Sequence, residues 1–88
     1  MKNYRVILSD KALEKLADLQ DYISDRAGVQ IAANYIEAIK ATCQSLSTMP
    51  MCGRRRDDLR LGLRITHHKR RVNIAFSVAE NTVCIHSI

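Results

Sequence analysis

The amino-acid sequence predicts an α+β fold of element order βααβββ. In it, a helix hairpin packs on one face of a largely antiparallel four-stranded sheet and leaves the other face open. Three observations predict this. Apolar residues recur every three or four positions from Leu13 to Leu46. From Leu59 onward the apolar period becomes two and stays there to the end of the chain. A short β-branched run, Tyr4-Arg5-Val6-Ile7-Leu8, precedes the first helical stretch. Periods of 3.6 and two are the side-chain repeats of helix and strand. The 88 residues are expected to form one domain, 1–88. A chain of this size buries only about 60% of its unfolded surface. With one Phe and no Trp, its core must be aliphatic.

Each element has its own local signal. After the first strand, Ser9 is a candidate N-cap and Asp10 places a carboxylate in the first turn, where the helix dipole favours an anion. Leu8 and Leu13 occupy staple positions. The first helix then runs to about Ala27 through Leu13, Leu16, Leu19 and Ile23. Its opposite face carries Glu14, Asp18, Asp21 and Asp25, an acidic stripe expected to face solvent. Gly28 ends this helix. The second follows at once through Ile31, Ala32, Tyr35, Ile36, Ile39, Cys43 and Leu46. Helices joined so tightly fold back on each other and share a core. Met49-Pro50 stops the pattern, because the residue before proline is pushed out of helical geometry. Gly53 marks a turn. Leu59, Leu61, Leu63 and Ile65 then alternate with polar residues as one strand. Val72, Ile74, Phe76 and Val78 do so as the next, and the chain closes on a strand from Val83 to Ile88. Glu80-Asn81 is the tight turn between the last two.

The charge is placed unevenly. Residues 1–53 hold six basic and six acidic side chains, whereas residues 54–88 hold eight basic and three acidic, a difference of five that is the whole net charge of +5. Such asymmetry points to an anionic partner, nucleic acid or an acidic protein segment. Arg54, Arg55, Arg56, Arg60, Arg64, Arg70 and Arg71 are the candidate partner-binding residues, since guanidinium forks suit phosphates and carboxylates.

Several chemistries find no support in the pattern. Cys43, Cys52 and Cys84 are odd in number and scattered, with neither metal-site spacing nor a disulfide framework, so reduced thiols in the cytoplasm are expected. The N-terminus lacks an apolar signal core, and no stretch approaches transmembrane length. His67 and His68 are adjacent and so point to opposite faces of a strand, with Lys69, Arg70 and Arg71 beside them. A hairpin tip fits them better than a metal site, and a site using His67, Cys52 or His86 is disfavoured. No Gly-rich phosphate loop, nucleophile elbow or cofactor motif is present. Without a basic recognition helix or an aromatic stacking platform, sequence-specific DNA reading is not expected either. Metal-free RNA cleavage would need a base, an acid and cations on the phosphate. Arg60, Arg64 and Arg71 projecting from the polar sheet face could supply the cations. Arg64, Arg71 and His86 are the candidates for that reading, with a structural histidine as its plainer alternative.

Taken in order, these segments resemble the RelE/ParE superfamily of bacterial toxins, in its ParE branch. The resemblance rests on Ser9-Asp10-Lys11-Ala12-Leu13-Glu14-Lys15-Leu16 with Asp21-Tyr22-Ile23. It continues through Ile36-x-x-Ile39, Leu46-x-x-x-Pro50-x-x-Gly53 and Asp58-Leu59-Arg60-Leu61-Gly62-Leu63-Arg64. Arg71 to Phe76 and Val83 to Ile88 complete it. It implies the toxin of a type II toxin–antitoxin pair, held inactive by a ParD-like antitoxin whose flexible C-terminal segment wraps helices and sheet. Free toxin in that branch poisons DNA gyrase as a binding protein without catalytic residues, cofactor or metal. RelE-like relatives instead cleave ribosome-bound mRNA, usually with an acid/base near the C-terminus, often a tyrosine. No tyrosine follows Tyr35 here, which favours the ParE branch. A degenerate toxin acting only as co-repressor with its antitoxin is a third implication.

Overall fold

The computed structural model describes residues 3–88. Seven elements follow in the order β1 (Arg5–Leu8), α1 (Asp10–Ala27), α2 (Val29–Ser45), β2 (Arg54–Arg55), β3 (Leu63–His68), β4 (Val72–Ala79) and β5 (Thr82–Ser87). The α+β class and the helix hairpin are as the sequence predicts. The sheet has five strands, not four, in the order β1-β5-β4-β3-β2. The added strand is two arginines long, between the Gly53 turn and the strand predicted from Leu59, and pairs antiparallel with β3. The sheet is also mixed, because β5 returns between β1 and β4 and lies parallel to β1.

Ser9 caps α1 as its side chain predicts, its Oγ accepting from the Ala12 amide at 3.1 Å. It does more than cap. Its hydroxyl donates to the His86 carbonyl at 3.0 Å, and its amide donates to the Ile85 carbonyl at 2.9 Å. The start of α1 is therefore fastened to β5. Gly28 alone joins the helices, with φ at 100°, a region open to glycine at no steric cost. The buried stripes are Ala12 and Leu16 on α1, and Ala32, Ile36, Ile39 and Cys43 on α2, continued by Leu46. Leu13 is half-exposed instead, and Ala12 takes the buried position. These stripes meet Ile74, Phe76, Val83 and Ile85 in one core. Burial in it pushes the Cys43 thiol pKa up.

The strand expected from Leu59 begins only at Leu63. Asp57 accepts from the Gly62 amide at 2.8 Å, and the Arg56 amide donates to the Leu63 carbonyl at 2.8 Å. Residues 56–62 therefore form a turn rather than strand, and Leu59 and Leu61 are 62% and 86% exposed. His67 and His68 end β3 and do not form the hairpin tip. Lys69 and Arg70 make it, both at positive φ, with the Arg71 amide donating to the His68 carbonyl. His68 is buried against α2: its Nδ1 lies 2.7 Å from the Thr42 hydroxyl, and its ring stands edge-on to Tyr35. That hydroxyl also reaches the Ala38 carbonyl at 3.2 Å, and Nε2 is buried without a partner among the described residues.

Candidate binding surface

Strand register decides which side chains share the open face. Phe76 and Ile74 lie in the core, and they stand opposite Arg64 and Thr66 of β3. Arg64, Thr66 and His68 therefore point to the helix side, and Leu63, Ile65 and His67 to the open side. This corrects the expectation that Leu63 and Ile65 face the core and Arg64 the open sheet. The open face carries one row of Ile7, Cys84, Ser77 and Leu63 and a second of Ala75, Ile65 and Arg54. It is more apolar than the alternation of the sequence implies.

His86 lies on this face, where the β4–β5 register slips between Ala75 and Phe76. Its Nε2 is 2.7 Å from the Ser77 hydroxyl, and its Nδ1 is 4.0 Å from the Cys84 sulfur. Burial, and then the nearby Arg60 charge, hold its pKa below the ordinary histidine value. It is thus a neutral ring beside a cation near pH 7. The β5 spacing of Cys84 and His86 implied their shared face. The Ser77 contact needed the β4–β5 register and was not legible beforehand.

The candidate arginines separate into distinct settings. Arg55 pairs with Asp57 at 2.9 Å. Arg56 makes a two-pronged pair with Asp58 at 3.0 and 2.9 Å. That pair raises the Arg56 pKa and lowers the Asp58 pKa. Arg64 donates to the Met51 carbonyl at 2.9 Å, tying β3 to the loop after α2. Arg70 and Arg71 are exposed at the β3–β4 tip, where Arg71 borders a groove with Lys15, Asp18 and Leu19 of α1. Arg64 on the helix side, Arg71 at the tip and His86 on the open face are therefore not brought together. Arg60 is the arginine beside His86.

The basic loop, residues 54–58, is flanked in the chain by four exposed apolar side chains: Met49, Met51, Leu59 and Leu61. Exposed apolar groups bordered by charge mark protein-interaction surfaces, and methionine adapts readily to a partner's shape. Among the described residues there is no group of three or more His, Cys, Asp or Glu side chains able to hold a metal ion. Nor is any described helix long and apolar enough to cross a membrane.

These features match a known family. The sequence model described as "ParE toxin of type II toxin-antitoxin system, parDE" matches residues 6–88. No curated protein matches the chain. Among solved structures, "Chromosomal ParDE TA system from P. aeruginosa" is similar at 19% identity with a TM-score of 0.85, covering 97% of this chain and 92% of that one. At that identity the likeness speaks for the fold, and the family match carries the assignment. The chain belongs to the ParE toxin family of type II toxin–antitoxin systems.

Proposed function

We propose that this chain is the toxin of a type II pair, neutralised by a ParD-like antitoxin, and that free toxin blocks DNA gyrase by binding it. The observation that carries the reading is the family match over residues 6–88. The surface supports binding over cleavage, because Arg64, Arg71 and His86 stand apart while Met49, Met51, Leu59 and Leu61 border the basic loop. An acidic, amphipathic segment suits that combination: its apolar side chains cover the exposed methionines and leucines, and its carboxylates meet the arginines. Such a segment orders on binding and stabilises the small domain it covers.

Induction in a bacterial host tests the reading. Growth should stop, the DNA-damage response should rise, and co-expression of the neighbouring antitoxin should restore growth. Normal growth on induction would favour the co-repressor reading. One observation keeps a nuclease alternative in view: His86 is a neutral acid–base group beside Arg60 on the open face. That reading requires codon-linked mRNA cuts that disappear in His86→Ala.

A further inference from the structure

Where β2 meets β3, a cleft of about 520 Å³ opens on the sheet, lined by Gly53, Arg54, Arg56, Ile65, His67 and Asn73. Small-ligand sites span roughly 300–1,000 Å³. The lining comes from three adjacent strands, from Gly53 before β2 and from Arg56 after it. Arg54 stands opposite Ile65, and His67, two residues further along β3, stands opposite Asn73. Gly53 lets the loop descend onto β3. A Cβ there would lie 2.6 Å from the Ile65 carbonyl oxygen, and φ is +83°. The backbone therefore sets the position of Arg54.

The lining is selective in charge. Asp57 engages Arg55 and Asp58 engages Arg56, and no carboxylate lines the cleft. The Arg54 guanidinium, the His67 imidazole and the Asn73 amide have no side-chain partner among the described residues. Three unpartnered polar groups around the half-buried apolar Ile65 suit a ligand that is anionic at one end and apolar at the other. A tetrahedral phosphate can accept from a guanidinium fork on two of its oxygens and from further donors on the third, which stands out of their plane.

We infer that this cleft binds the phosphate group of a small ester of nucleotide size. Arg54 grips the phosphate, His67 and Asn73 flank it, and the organic body lies over Ile65. None of these residues belongs to the Arg64, Arg71 and His86 set, but Arg54 and Arg56 lie in the basic segment that the proposed function gives to an acidic partner, so cleft ligand and partner would compete.

Calorimetry and NMR titration of the full chain with AMP, adenosine, inorganic phosphate and a glutamate-rich peptide test it. AMP should bind and shift the His67 and Asn73 side-chain resonances. Adenosine should not bind, and inorganic phosphate should bind more weakly than AMP. Arg54→Gln should weaken AMP binding at least tenfold, on the order expected for a lost charged hydrogen bond. Lys11→Gln, a remote cation on α1, should leave it unchanged. Equal binding of adenosine and AMP would overturn the inference, as would equal effects of the two variants. Inorganic phosphate matching AMP would remove the ester from the claim. Displacement of AMP by a lower concentration of the glutamate peptide would assign the cleft to an acidic protein segment.

Discussion

Ser9 and His86 meet where α1, β1 and β5 come together, and each makes a distinct prediction. Ser9 satisfies the Ala12 amide and also holds the His86 carbonyl. Ser9→Ala should cost about 1–2 kcal/mol, the upper part of the range for a lost cap, read as a lower urea midpoint with an unchanged slope. For His86, burial and the Arg60 charge disfavour the protonated ring in the fold. Its folded pKa therefore lies below the unfolded value of about 6.5. Between those two values the unfolded chain binds more protons, so stability rises with pH. The His86 contribution is fully present above pH 6.5 and is lost as pH falls through the folded pKa. Urea midpoints from pH 7 to pH 5 should decline less in His86→Asn than in the parent. An identical decline would remove His86 as a source of the pH dependence.

At the scale of elements, the sequence was legible where local chemistry acts alone. The Ser9 cap, the Gly28 break and the period change mark both helices and the strand-rich end. It misled where two readings share one pattern. Leu59-x-Leu61-x-Leu63-x-Ile65 has the period of a strand, yet the Asp57–Gly62 hydrogen bond turns its first half out of the sheet. Alternation also leaves open which set faces the core. Only the pairing of Arg64 with Phe76 places Leu63 and Ile65 on the open side, since strand register, not composition, fixes the face. The same register puts Arg64 and His86 on opposite faces, which alternation alone does not show. A two-residue strand such as β2 has no period to detect. Its anchor is testable: Gly53→Ala forces a Cβ against the Ile65 carbonyl at positive φ. It should cost about 1–3 kcal/mol and speed hydrogen exchange of the Arg56 amide, which donates to Leu63 beside β2.

The β3–β4 tip is a second element-scale case. Lys69 and Arg70 both adopt positive φ, 51° and 63°, where side-chain-bearing residues are disfavoured and Asn-Gly is preferred. Replacing the pair with Asn-Gly should stabilise the fold by about 1 kcal/mol or more, measured as a higher Tm. Unchanged or lower stability would contradict the backbone assignment. Under the proposed function, the cations at this tip are kept for a partner at some expense of stability.

For the whole molecule, an acidic first helix and a neutral second one support a sheet whose far side is apolar in the middle and basic around it. The net charge of +5 surrounds an exposed apolar surface, and the three candidates for cleavage, Arg64, Arg71 and His86, do not meet on it. The most direct measurement adds purified toxin to DNA gyrase in a supercoiling reaction and, in parallel, to translating ribosomes. Supercoiling should be blocked in a dose-dependent way and restored by stoichiometric antitoxin, with ribosome-bound mRNA left intact. Unimpaired gyrase together with mRNA cuts that vanish in His86→Ala would contradict the gyrase reading.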